Sequence, residues 1–260
     1  MALQWTTEVR AHGVTLKIHH FLSPDSPFHV QFLVPWKEKL EKDSDGHLRI
    51  QVYPAMGLGG NPSQLYDQAK DRTVDIVWTA VDYEAWRFPA FEVFNLPFVT
   101  HSANASSRAL WRYVQKHNLA KTEFAGVRVL AVGVFPAASG DADARLYKGD
   151  ASPALPNLFV LVMNADAYKS LPDELKAVIN ANSGVEISAS LGKMFDDSVA
   201  VAPASANGER SAQAAELALT QQRAESAIDK RIQELDRRGL DGRELVESAR
   251  ALLAEYDAPK

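Results

Sequence analysis

The residues of this chain best suited to chemistry are the aromatic rings of Phe21, Trp78 and Tyr83, the hydroxyl of Thr79 and the guanidinium of Arg87. Trp78 and Thr79 close the apolar run Asp75-Ile76-Val77-Trp78, which reads as a strand. The carboxyl ends of parallel strands are where α/β proteins place ligands. An indole there can stack on a flat molecule, and an arginine in the following loop can grip a carboxylate through two hydrogen bonds. Each residue also has a plainer role. Phe21 and Trp78 suit a packed core equally well, and Arg87 suits a surface position stacked on Trp86.

No constellation for bond making accompanies them. His19, His20 and His29 with Asp25 have metal-ligand chemistry, but neighbours on a strand face opposite sides, so His19 and His20 do not chelate together. Glu84 and Glu92 lie in a loop without the geometry of an acid–base pair. Ser102, Ser106 and Ser107 lack the strand–turn–helix context of a nucleophile elbow. The chain contains no cysteine, hence neither a thiol nucleophile nor a disulfide. No catalytic residue, metal or cofactor is expected.

The elements that must position these side chains follow from periodicity. Thr15 to His20 alternates and ends at Ser23-Pro24, a strand and a turn. Ser26-Pro27 opens a helix to about Lys42, with Ser26 as cap and Phe28, Phe32, Trp36 and Leu40 as its buried stripe. Pro35 lies inside it and predicts a kink. Leu48 to Pro54 is a second strand, Asn61-Pro62 starts a helix to about Asp71, and Val74 to Ala80 is a third strand. Further on come a helix at 104–116, apolar strands at 127–135 and 158–163, a long helix from Pro172 and a charged helix at 211–236. Gly239 and Gly242 break that helix before a last one at 243–256. Asn164, after the second apolar strand, reads as a helix cap. The loop-like stretches 136–157 and 199–210 are candidate junctions. Alternation of this kind predicts an α/β protein with largely parallel sheets, the strands at 15–20, 48–54 and 74–80 forming one parallel set.

Composition narrows the class. There are 33 acidic against 28 basic residues, a net charge of −5, without a dense basic stretch. Nucleic-acid binding, which needs clustered Lys and Arg, is disfavoured. No apolar run is long enough to span a bilayer. Met1 to Arg10 is polar and lacks the apolar core of a leader peptide, as in a mature exported protein with a start methionine or in a cytoplasmic one.

The order of these segments is similar to that in the solute-binding proteins of tripartite ATP-independent periplasmic (TRAP) transporters. The likeness rests on His19-His20-Phe21-Leu22-Ser23-Pro24, the turn from Tyr53-Pro54 to Gly59-Gly60, Gln64 through Asp75, and Leu96-Pro97-Phe98. It resumes with Val160-Leu161-Val162-Met163-Asn164, Ser170-Leu171-Pro172 and Gly239-Leu240-Asp241-Gly242-Arg243. The resemblance implies a periplasmic-binding-protein-like fold of two lobes with mostly parallel sheets, the second lobe reduced. It would divide into a first lobe at 1–126, a reduced second lobe at 127–210 with hinge strands and a long helix, and C-terminal helices at 211–260. It implies periplasmic capture of a small organic acid at Phe21, Trp78, Thr79, Tyr83 and Arg87, and delivery to membrane permease subunits without chemistry on the ligand. The family's strand bearing a carboxylate-clamping arginine has no counterpart in 138–157, where Arg145 and Lys148 are the cations. Weakened binding of simple carboxylates is therefore expected. A ligand-silent interaction scaffold and a small α/β enzyme are the alternative readings.

Overall fold

The computed structural model describes residues 13–96, 102–135, 158–200 and 213–257. Met1 to Arg10, Pro97-Phe98, and the 136–157 stretch with Arg145 and Lys148 lie outside the described residues, as do 201–210.

Among the described residues five strands make one sheet: β1 (Val14–His20), β2 (Leu48–Tyr53), β3 (Ile76–Ala80), β4 (Val127–Val134) and β5 (Leu158–Asn164), in the order β2-β1-β3-β5-β4. β1 pairs in parallel with β2 and β3, as the alternation predicted. β5 runs antiparallel to both β3 and β4, so β1 to β4 point one way and β5 returns between them.

The apolar runs of β4 and β5 are buried on both faces. Leu158, Val160 and Val162 face one core with Val77, while Phe159, Leu161 and Met163 face the other with Ile76 and Trp78. β4 changes register between Val129 and Ala131. Leu130 and Ala131 therefore turn to the same core, and Val132 resumes the alternation on the opposite side.

Helices cover both faces. The segment from Ser26 winds first as a π-helix, Phe28–Leu33, and then as α1, Val34–Asp43. The kink expected at Pro35 is this change of winding, with the proline in the first turn of α1, where no N–H is required. Phe28, Phe32, Trp36 and Leu40 are all buried against the Trp78 face. Leu65–Lys70 (α2), opened by an Asn61/Gln64 capping box, covers the Val77 face. Ala103–Lys116 (α3) follows the β4 edge. Asn164 caps Ala165–Lys169 (α4), its Oδ1 accepting from the N–H groups of Asp166 (2.9 Å) and Ala167 (2.7 Å).

The long helix expected from Pro172 is two helices, Asp173–Ala181 (α5) and Val185–Ala200 (α6). Gly184, with φ +102°, reverses the chain between them. The break frees the Asn182 carbonyl, which accepts the Trp36 indole N–H at 2.8 Å. Gln213–Arg237 (α7) and Gly242–Asp257 (α8) complete the Val77 side, and Gly239 (φ +78°) separates them.

The serines set aside as nucleophiles hold the frame. Ser102 caps α3 and donates to Asp196 of α6 (2.8 Å), and the same carboxylate accepts from the N–H groups of Ala103 (2.7 Å) and Asn104 (3.1 Å). This places a negative charge on the positive end of the α3 dipole. Ser106 returns its hydroxyl to the Ser102 carbonyl. α3 and α6 meet closely at Gly192, where a Cβ would lie 2.2 Å from the Ala103 carbonyl oxygen. Gly192→Ala is expected to push the helices apart and lower the urea midpoint by the equivalent of about 1–3 kcal/mol. An unchanged midpoint would contradict this crossing.

Candidate functional site

The loops after β1, β2 and β3 meet at the carboxyl ends of the strands. The β2 loop is a tight turn in which Ala55 and Met56 take φ +49° and +57°, and Gly59 and Gly60 take φ +86° and +85°. His19 fastens it. The Leu58 N–H donates to His19 Nε2 (3.3 Å), so Nδ1 carries the proton and donates to Gln68 Oε1 (2.6 Å). Gln68 Nε2 in turn donates to the Gly59 carbonyl (3.2 Å). A Cβ on Gly60 would lie 2.8 Å from Gln68 Nε2, so the glycine is needed for this closure. The turn is also tied to β1, because the Ala55 and Met56 N–H groups donate to the carbonyls of Leu22 (2.9 Å) and His20 (3.1 Å).

Phe21 and Tyr83 come together on this end of the sheet, edge to face with centroids 5.8 Å apart. Tyr83 is 41% exposed, so aromatic surface is presented to solvent beside Phe21, and Trp86, three residues further along the loop, is 67% exposed. The other expected site residues are engaged elsewhere. Trp78 is fully buried and sandwiched between Phe28 (4.3 Å) and Phe159 (5.1 Å), with interplanar angles of 13° and 6°. Its indole N–H has no hydrogen-bond partner among the described residues. Thr79 is buried, and its hydroxyl donates to the Pro62 carbonyl (3.5 Å). Arg87 pairs with Asp67 (2.7 Å) and Glu84 (3.1 Å), and its guanidinium lies over the rings of Tyr66 (5.1 Å) and Trp86 (5.3 Å). Burial raises the Glu84 carboxyl above its usual range, while the Arg87 charge opposes that shift.

The histidines split across the strand as alternation requires. His19 serves the glycine turn, while His20 turns to the opposite core, its Nε2 2.9 Å from His29 Nδ1 and its ring edge-on to Phe28. The His19–Gln68 clasp escaped the sequence reading. Its one signal there was the Gly59-Gly60-Asn61-Pro62 run, which marks a turn needing an anchor but does not name one.

Aromatic loops gathered on the carboxyl ends of parallel strands, over a mixed sheet with one returning strand, define a protein of the periplasmic-binding-protein type. Comparison with known proteins narrows this. Residues 18–135 match the family described as bacterial extracellular solute-binding protein, family 7. A TRAP solute-binding protein from Rhodoferax ferrireducens T118, solved with copurified benzoate, is 30% identical, with TM-score 0.77 over 94% of this chain and 98% of that one. A marine metagenome TRAP solute-binding protein specific for aromatic acids, from an unidentified microbe and solved with 3-hydroxybenzoate, is 28% identical. Its TM-score is 0.80, over 95% of this chain and 99% of that one. The Comamonas testosteroni protein described as outer membrane transporter protein TsaT is 30% identical over 127 residues, 49% of this chain but only 37% of its own length. The chain belongs to the TRAP solute-binding protein family. No helix among the described residues is long and apolar enough to cross a membrane.

Proposed function

We propose that this chain captures a small aromatic carboxylate outside the cytoplasm and presents it to TRAP-type permease subunits, without making or breaking bonds. The observation that carries the reading is the Phe21–Tyr83 pair on the end of the sheet where this fold class takes ligands. Flat aromatic surface there suits a benzoate-like ring. The two relatives of 28–30% identity were solved with benzoate and 3-hydroxybenzoate, which supports that ligand class. Trp78 acts behind the site as its support, and Thr79 helps fix the loop at Pro62. The division into a first lobe to 126, a reduced second lobe to 210 and C-terminal helices beyond belongs to the same proposal.

Affinity should be limited by charge. A carboxylate taken from water needs a fixed cation or several donors. Arg87 already faces two carboxylates and would have to exchange one of them for the ligand. Calorimetry with benzoate and 3-hydroxybenzoate is expected to give saturable binding, at least about tenfold weaker than that of the Rhodoferax ferrireducens protein, the scale of one lost charged hydrogen bond. Phe21→Ala and Tyr83→Ala should each weaken it further. Binding as tight as the relative's that survives Arg87→Ala would place the clamp on other residues. Absence of saturable heat would favour the scaffold reading, which the neutralised Arg87 already motivates.

A further inference from the structure

We propose that a groove along the outer edge of β4 is a second ligand site, for a planar organic anion, at the end of the sheet opposite Phe21 and Tyr83. The inference is independent of carboxylate capture at the aromatic loops. Among the described residues β4 is the last strand of the sheet, and one side of its backbone has no described strand partner. Along most of its length helices close that edge. The Leu130 carbonyl accepts from the Gly184 N–H (2.8 Å), and the Val132 and Val134 N–H groups donate to the hydroxyls of Ser188 (3.1 Å) and Ser107 (3.0 Å). At Val127, Arg128 and Val129 this cover stops, and a groove of about 570 Å³ opens between α3 and α4. That volume suits a small-molecule ligand.

Its walls are aromatic and its charge is positive. Trp111 forms one side, braced against Gly184, where a Cβ would meet the indole at 3.6 Å. Tyr168 forms the other, with the Arg128 guanidinium lying over its ring at 4.2 Å. Lys121, Arg128 and Lys169 all line the groove. Lys169 is paired with Asp166 (2.9 Å), but no described carboxylate pairs with Lys121 or Arg128. Arg128 donates to a neutral oxygen, Asn180 Oδ1 (2.6 Å), and its buried Nε has no hydrogen-bond partner. An arginine held flat by a ring and a neutral amide keeps its charge available to an anion. The slot therefore accepts a flat ring between Trp111 and the β4 valines, with its acid group directed to Lys121 and Arg128.

The test titrates the full chain carrying Phe21→Ala and Tyr83→Ala, which disable the aromatic loop site, with 2-naphthoate, read by calorimetry and by tryptophan fluorescence. Saturable binding with a fluorescence change is expected. Arg128→Gln and Lys121→Glu should each weaken it at least about tenfold, as removal of a charged hydrogen-bonding partner does. Lys121 is not part of the core, so Lys121→Glu remains decisive if Arg128→Gln fails to fold. Uncharged 2-naphthamide should bind at least tenfold more weakly than the acid. Trp111→Phe should abolish the fluorescence change while the heat of binding persists. Absence of binding, equal affinity for acid and amide, affinity unaltered in both charge variants, or a fluorescence change that survives Trp111→Phe would each overturn the proposal.

Discussion

Trp78→Ala is expected to lower the free energy of unfolding by about 3–5 kcal/mol, the cost of emptying a buried aromatic site. The indole has no exposed surface, stacks on Phe28 and Phe159, and lies within ring-contact distance of Phe135 at 6.4 Å. It joins the π-helical segment to β3 and β5, so its loss empties the meeting point of three elements. Aromatic stacking adds a further increment beyond area. Trp86→Ala, on a side chain 67% exposed, is the matched control and should change stability by no more than about 0.5 kcal/mol. Urea denaturation of both variants measures the contrast. Any loss of ligand binding in Trp78→Ala would then act through the fold. Equal midpoints for the two variants would show that Trp78 is not the core residue its packing describes.

What the sequence disclosed of this molecule depended on the range of the interaction. The buried stripe of Phe28, Phe32, Trp36 and Leu40 and the two-faced burial of β4 and β5 are written in local periodicity, which reports burial directly. The caps at Asn61 and Asn164 are equally local. The reversed direction of β5 was not legible, because a continuous apolar run looks the same whichever way it points. Nor was the end of α5, where one glycine of positive φ and the tertiary bond from Trp36 to Asn182 outweigh an uninterrupted helical pattern. The same limit applies to the site. Phe21 and Tyr83 could be placed on the same end of the sheet because each directly follows or lies just beyond a strand. Trp78, in the middle of β3, was equally consistent with cleft and core, and only packing across the sheet distinguishes them. Arg87 stacks on Trp86 as its neighbour in sequence suggested, but its pairing with Asp67 spans twenty residues and left no local trace.

Two buried groups set opposing pH dependences, and their separation is the second large effect expected. Burial, with the neighbouring His29 and His19, lowers the His20 pKa from 6.5 to about 3. Between those values the unfolded chain binds a proton that the native ring refuses, so this group makes stability fall as pH falls below 6.5. Glu123 behaves inversely. Its carboxylate accepts the N–H groups of Ala90 (2.6 Å) and Phe91 (2.9 Å), yet burial outweighs these bonds and raises its pKa from 4.5 to about 7. Between 4.5 and 7 the native state holds the extra proton, so this group makes stability fall as pH rises. Each contributes at most about 1.4 kcal/mol per pH unit, and between pH 4.5 and 6.5 the two slopes oppose. His29 and His117, both lowered by burial, add to the first slope, while Glu84 and Glu92, both raised by burial, add to the second. The wild-type urea midpoint should therefore be nearly flat across that window. In His20→Gln the carboxyl slope should emerge, with stability falling by about 2 kcal/mol from pH 4.5 to 6.5, and in Glu123→Gln the histidine slope should emerge with the opposite sign. The glutamine at 123 turns an amide toward two N–H donors and lowers stability at every pH, but a uniform offset leaves the slope readable. Identical pH profiles in the wild type and both variants would show that neither group titrates as its burial dictates.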